Sequence, residues 1–407
     1  MKKNNKHLVG IGLEKLLHSQ IYEALQGSVI EDIIKQAVTE DDDSYWRSEM
    51  EGHSFKIDEK LLNHYYTICH EVKEKLQFDE PIDFYITGDS SVNAFSVAAE
   101  GGKPHIVNLN SAIVELMTDA ELKFVIGHEL GHLINKDTAL LRLINFVFPS
   151  GANIPITLQY KIRLWQQLSE LTADRYGFMA TNNLNVCVSA FFKMASGLDI
   201  SKIDISIDAL LDNNLEHLDY FLNDKGVSLA DHPVNPLRIQ SLHLFSDLSI
   251  SEKDLEKEMD KLISILFKVG DSELDSAIAA YIAVAGILVA HADKKASKEE
   301  IQTILEHLAP LQIFPKQFLN QILKVGKYDT VFAESVQTIL TLNPGMREDL
   351  FCYLITLVLA DKKLDPREIN FLYASGENFF GYSRKETATL LAQMIQLTYT
   401  PSLEMIC

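Results

Sequence analysis

One segment constrains this chain more than any other: Val125-Ile126-Gly127-His128-Glu129-Leu130-Gly131-His132-Leu133-Ile134. Its two histidines stand four residues apart, with a glutamate beside the first. On a helix such histidines share a face, one turn apart, so both imidazoles reach one metal ion. Glu129 falls on an adjoining face, where a carboxylate can touch a water held by that ion. The flanking sequence predicts the helix. Thr118-Asp119-Ala120-Glu121 reads as a capping box with Thr118 at the N-cap. Leu122, Val125, Ile126, Glu129 and Leu133 follow at helical spacing. Gly131 lowers helix propensity, and a glycine there marks a close approach by another backbone. Imidazole and carboxylate donors suit Zn2+, expected at one ion per chain, with a position open for water. Such an ion lowers the pKa of water from about 16 to about 7. Glu129 is then the base that takes the proton.

The third ligand comes from further on. A third histidine shortly after the motif would need glycine and histidine where Asn135 and Thr138 stand. Residues Gln159–Thr181 predict a helix with Leu164, Leu168 and Leu171 as its packing stripe. Glu170 and Asp174, at i and i+4, share a face of it. They could pair with Arg163 or Arg175 on a wet face. Beside the upstream motif the expectation is instead that Glu170 completes the metal site and Asp174 accepts from a histidine ligand. Another stretch is Asp231-His232-Pro233-Val234-Asn235-Pro236-Leu237-Arg238. Its prolines hold an extended turn before a helix. Two readings of it stay open. His232 and Arg238 could donate to a developing oxyanion, or Arg238 could be a salt-bridged residue at a helix start.

Ahead of the metal helix, residues 9–40 predict a helix, Glu40–Ser44 a polar break, and Ile57–Leu76 a second helix. Pro81–Thr87, Ser91–Ala98 and His105–Leu109 read as short strands, the last two as a hairpin across Gly101-Gly102. Ser111–Met117 is a short helix. The expected fold class is therefore mainly α with a small sheet (α+β). An exposed sheet edge next to the metal helix suits an extended peptide, held by main-chain hydrogen bonds.

Composition excludes some functions. The chain has 407 residues and a net charge of −20, with no basic run after Lys2-Lys3. A nucleic-acid or anionic-membrane partner is not expected. The four cysteines, Cys69, Cys187, Cys352 and Cys407, are scattered and fit reduced thiols in a cytoplasm. There is no secretory signal and no apolar run long enough to span a membrane.

These residues together resemble the zinc peptidases typified by HtpX and the CAAX prenyl endopeptidases, over about Leu61 to Phe245. The resemblance rests on Asn93-Ala94-Phe95, the His128–His132 core, Glu170 with Asp174, and His232-Pro233 with Arg238. It implies a gluzincin-type metallopeptidase domain with zinc on His128, His132 and Glu170, Glu129 as general base, and Asp174 in support. It also implies that Asn93, Ala94 and Phe95 lie at the substrate-binding edge strand and that His232 and Arg238 assist the transition state. The chain departs from the family in lacking membrane-spanning segments before Glu170, which argues against prenylated or membrane substrates. It also carries Asn135-Lys136-Asp137 where histidine or arginine often follows, a change expected to matter little.

Residues 246–270 read as a polar boundary with a helix. Beyond them Ala292-Asp293-Lys294-Lys295 and Glu300-Ile301 recur 68 positions later as Ala360-Asp361-Lys362-Lys363 and Glu368-Ile369. Each copy is an apolar helix, a turn and an amphipathic helix, and buries its faces against neighbours. The repeats, about 271–340 and 341–407, resemble the tellurite-resistance TerB-like helical domain, which implies a protein-partner role. Ser297 and Asp365 sit where helix caps belong. The expected organisation is a helical segment at 1–60, the peptidase domain at 61–245, the polar stretch and the two repeats. The leading expectation is a soluble zinc endopeptidase. The alternative is a latent or non-catalytic metal-binding scaffold, with Phe146–Ile156 as a lid in the latent case.

Overall fold

A computed structural model describes residues 9–37, 41–99, 103–148, 154, 156–223, 232–266, 273–291, 327–359 and 365–399. The chain divides into two compact units, one of residues 1–153 and 162–266, the other of 154–161 and 267–407.

In the first unit, helices α1 (Gly12–Ala24), α2 (Gly27–Ala37) and α3 (Asp41–His53) precede strand β1 (Ser54–Lys56) and helix α4 (Asn63–Leu76). Strands β2 (Ile82–Thr87), β3 (Ala94–Val97) and β4 (His105–Asn110) follow. The sheet order is β1-β2-β4-β3, with β2 and β4 parallel and the outer pairs antiparallel. The expected hairpin is β3 against β4. Side chains alternate across the sheet, as strand geometry requires. Phe84, Val107, Leu109 and Ala94 face the main core. Tyr85, Ile106, Phe95 and Val97 face Met50 on α3.

Three elements differ from expectation. The helix expected over Ile57–Leu76 begins only at Asn63. The single helix over 9–40 breaks at Gln26, which is left-handed at φ 51°. Residues 41–44 of the expected polar break open α3 instead. That helix has no strong apolar stripe and is pinned from outside its own sequence. Arg47 donates to Asp83 and to the Pro104 carbonyl, each at 2.8 Å, and Tyr85 donates to Glu51 at 2.8 Å.

Next come α5 (Ser111–Leu116), α6 (Asp119–Ile134), α7 (Asp137–Val147), α8 (Ile156–Thr181), α9 (Leu184–Ser196), α10 (Ile207–Asn223), α11 (Asn235–Ser246) and α12 (Glu252–Leu266). The Thr118/Glu121 capping box forms as expected. Glu121 is also held by Ser189 and by Lys193 at 2.9 Å, so α9 grips the start of the metal helix. The polar stretch after Ser246 carries α12, which belongs to the first unit. No helix among the described residues is long and apolar enough to cross a membrane.

Glycines let α6 and α8 meet. A Cβ on Gly127 would lie 3.0 Å from Gly177 Cα, and one on Gly131 would lie 3.0 Å from Ala173 Cα. Gly177 answers from α8, where a Cβ would come 2.7 Å from the Phe124 carbonyl oxygen. The crossing is backbone on backbone, and it sets Glu170 and Asp174 beside His128.

The second unit contains α13 (Glu273–His291), α14 (Tyr328–Leu342), α15 (Arg347–Leu359), α16 (Pro366–Ser375) and α17 (Arg384–Tyr399). Its core gathers Tyr281, Phe332, Phe351, Leu354 and Phe380. Tyr281 donates to the Leu350 carbonyl at 2.6 Å. Asp365 caps α16 by accepting from Arg367 N–H at 2.8 Å. Both Asp-Lys-Lys turns of the repeat, Ser297, and most of the expected lid (149–153 and 155) lie outside the described residues, so the repeat rests on the sequence.

Gly177→Ala is expected to lower stability by about 1–3 kcal/mol through overpacking, although alanine is the better helix former by about 1 kcal/mol. Denaturant unfolding measures it. An unchanged or raised midpoint would mean that the helices do not need this approach.

Candidate metal centre

Helix α6 presents His128 and His132 one turn apart, and their Nε2 atoms face each other at 3.2 Å. Their Nδ1 atoms are engaged elsewhere. His128 Nδ1 donates to Asp174 Oδ1 at 3.0 Å, and His132 Nδ1 donates to Asp137 Oδ2 at 2.9 Å. A carboxylate acceptor fixes the Nδ1–H tautomer of a neutral imidazole and leaves Nε2 as a bare lone pair. Two lone pairs pointed together at this distance repel unless a proton or a metal cation lies between them.

Glu170 supplies the third donor from α8. Its Oε2 is 3.6 Å from His128 Nε2 and its Oε1 is 3.4 Å from His132 Nε2. Zinc–nitrogen bonds of about 2.0–2.1 Å in a tetrahedron put donors about 3.3 Å apart, so the three spacings suit one ion. Among the described residues these three form the group of donors able to hold a metal. Glu170 Oε2 is buried without a well-formed hydrogen bond, although His232 Nδ1 lies 3.1 Å and Arg238 Nη2 3.2 Å away as ion-pair neighbours. Glu14, Glu129, Asp137, Glu170 and Asp174 are all buried here. Clustered buried carboxylates are costly without counter-charge, and a divalent cation supplies it. The residues therefore fit zinc.

The wet-face reading of Glu170 and Asp174 is not the one that forms. Asp174 is 0% exposed, and its partner guanidinium comes from α11. Arg238 donates to it twice, through Nε at 2.8 Å and Nη2 at 2.6 Å. Of the two readings of Arg238, the salt bridge is present. Its guanidinium also lies over the Phe191 ring at 4.9 Å.

Electrostatics follow from this packing. Burial raises the Asp174 carboxyl, but Arg238 and His128 overrule it and hold it below its ordinary value. Burial likewise opposes the Glu170 anion, while Arg238, His132, His232 and His128 bring its pKa well down. For His132 burial favours the neutral ring, yet Asp137 and Glu170 draw its pKa well above the usual histidine value. The same negative field that draws a proton to this ring favours a bound cation.

A cleft of about 630 Å³ opens over these residues. Glu129, His232, Arg238, Asn93, Ala94 and Phe95 all line it, beside the three donors. His232 stands at the rim with its side chain 67% exposed. The β3 edge borders the cleft, but its side chains divide. Ala94 belongs to the core below the sheet. The Phe95 ring packs on the opposite face, 5.6 Å from Trp46.

Two residues of the centre were not singled out from sequence. Asp137, whose departure from the family pattern is expected to matter little, is instead the partner of His132. In one continuous helix, a residue five positions on lies about 140° round the axis. Lys136 breaks α6 from α7 in a left-handed conformation, φ 63°, and turns Asp137 back onto the histidine. Glu14 comes from α1. Thr172 Oγ1 donates to its Oε2 at 2.7 Å, and Asn135 Nδ2 donates to its Oε1.

Burial raises the Glu14 carboxyl, the charge on Asp137 adds to the rise, and Thr172 and Asn135 oppose it, leaving a pKa of about 7. A carboxyl raised above its unfolded value favours the fold when protonated. That contribution is complete below the unfolded pKa and is lost as pH rises through the folded one. Glu14→Gln removes this ionisation. In metal-free protein, the stability of the variant relative to wild type should therefore rise by about 1–3 kcal/mol from about pH 5 to 8. Denaturant titrations across pH test this, and a flat difference would contradict it.

Comparison with known proteins agrees with this geometry. Residues 65–245 match the model of Peptidase family M48. The chain is 27% identical over 224 residues to the Plastoglobule-localized metallopeptidase 48, chloroplastic, of Arabidopsis thaliana. The alignment covers 52% of this chain, and the chain spans 64% of that relative's length. No solved structure matches the chain. Residues 65–245, which carry His128, Glu129, His132, Glu170, Asp174 and Arg238, are thus similar to a family of peptidases.

Proposed function

We propose that this protein is a zinc-dependent endopeptidase. The carrying observation is the facing pair of Nε2 atoms, each made a bare donor by a carboxylate on its Nδ1, with Glu170 as third donor. Zinc held there would lower the pKa of water towards neutrality and polarise a substrate carbonyl. Glu129, at the cleft wall, receives the water's proton and delivers it to the departing amine. His232, at the rim, donates to the oxyanion that develops on the carbonyl. Arg238, although expected from the family resemblance as a second donor, acts instead as a positioning residue, because its bonds hold Asp174 and Glu170. The substrate is an extended peptide paired with the outer edge of β3. Side chains of such a peptide alternate between the Ala94 face and the Phe95 face.

Buried thiols support a reducing compartment. Burial pushes the Cys69 and Cys187 thiols up to about 12, so neither is a ready disulfide former. The cytoplasm meets that condition. The Arabidopsis relative is named for a chloroplast location, which belongs to that protein.

The test is zinc content and hydrolysis of an unfolded protein, for wild type and Glu129→Gln. The expected result is one zinc in each, with turnover falling by at least about 100-fold in the variant, the low end for a general base. Full activity in Glu129→Gln would overturn the assignment of the base. Zinc in both chains with hydrolysis in neither would overturn the active-enzyme reading in favour of a latent or non-catalytic metal-binding scaffold.

A further inference from the structure

The family match begins at residue 65, yet one group that reaches the metal centre comes from well before it. Glu14, on α1, is 1% exposed. Asn135, which caps the end of α6, donates through Nδ2 both to Glu14 Oε1 and to Asp137 Oδ1, the latter at 2.9 Å. Asp137 Oδ2 in turn accepts from His132 Nδ1 at 2.9 Å. On its other side Glu14 Oε2 accepts from Thr172 at 2.7 Å. Thr172 sits on α8, two residues past Glu170. The start of α1 is tied to the same helix, since Arg175 Nη1 donates to the Val9 carbonyl at 3.0 Å.

The direction of each bond in this series is determined. The Asn135 amide nitrogen has two hydrogens and no acceptor capacity, and each hydrogen meets a carboxylate. A flipped amide would turn its carbonyl oxygen toward the Asp137 carboxylate, so one orientation holds whether or not Glu14 carries its proton. Asp137 Oδ1 is anchored by that amide, which leaves Oδ2 aimed at His132. Glu14 bonds at once to the residue that anchors the His132 support and to the helix that carries Glu170.

We propose that Glu14 is a positioning residue for the metal centre. It holds Asn135 so that Asp137 stays on His132 Nδ1, and it fixes α8 against the end of α6 so that Glu170 meets the histidines at ligand spacing. The N-terminal helix is thereby a working part of the centre rather than an appendage. This inference rests on His128, His132 and Glu170 being the metal site.

The test measures zinc affinity of the full chain by competition with a chromophoric chelator. Loss of a group bonded directly to a ligand typically weakens metal binding about 10–100-fold. Glu14 stands one bond further out, so Glu14→Ala should weaken it about 3–10-fold. Glu14→Gln should bind nearly as wild type, because its amide oxygen still accepts from Asn135. In an Asp137→Asn background, Glu14→Ala should add no further loss, since the series is already cut. Leu17→Ala, which opens a cavity under the same helix, should lower the melting temperature and leave zinc affinity unchanged.

Three results would overturn the proposal: Glu14→Ala binding as wild type, Leu17→Ala weakening zinc as much as Glu14→Ala, or additive losses in the double variant. If Glu14→Ala does not fold, Asn135→Ala interrupts the same series without opening the core, and unchanged affinity there overturns the proposal as well. Wild type that binds no zinc would overturn the functional reading first, and this inference with it.

Discussion

Two imidazole nitrogens, His128 Nε2 and His132 Nε2, face each other at 3.2 Å in a buried wall, and the rest of the first unit is arranged around that contact. Neither nitrogen can turn away, because Asp174 and Asp137 hold the opposite edges of the rings. Carboxylates on Nδ1 make the rings better donors and lock their orientation. They also add negative charge just behind the cleft wall, where Asp174 and Asp137 are buried. Arg238 offsets part of it through Asp174 and Glu170. A divalent cation held between the two rings would offset the remainder.

Holding three donors at that spacing requires two helices closer than ordinary side chains permit. Gly127, Gly131 and Gly177 remove the side chains at the crossing of α6 and α8, so backbone meets backbone. Glycine costs helix stability, and the tertiary contact outweighs that cost. Behind the crossing, Lys136 takes a left-handed turn and Glu14 comes in from α1. The centre is thus framed from five helices: α1, α6, α7, α8 and α11.

Local rules reached far in this chain. The capping box at Thr118, the face shared by His128 and His132, the i,i+4 pair Glu170 and Asp174, and the close approach at Gly131 follow from spacing and residue type alone. The strands over 82–87 and 105–110 were legible because Ile82, Phe84 and Ile86, and Val107 and Leu109, alternate towards one core. Helix α3 was not legible. Its sequence is polar, and its fixed position depends on Asp83, Tyr85 and the Pro104 carbonyl, all far along the chain. Asp137 was hidden for a related reason. Its five-residue spacing from His132 points away from the metal face in an unbroken helix, and one backbone conformation at Lys136 reverses that.

The sequence by itself determined the chemistry available: two histidines and a glutamate on one helix turn, and a second acidic pair on another helix. Helical periodicity is local, so it can be read from spacing. The tertiary structure decided which charges meet. It chose Arg238 over Arg163 or Arg175 as the guanidinium on Asp174, turned the Phe95 ring to the face away from the metal helix, and brought Glu14 to Asn135 across more than a hundred residues. Such choices depend on where separate helices cross, and crossing is set by packed volume and backbone approach, which no pattern within a single helix records.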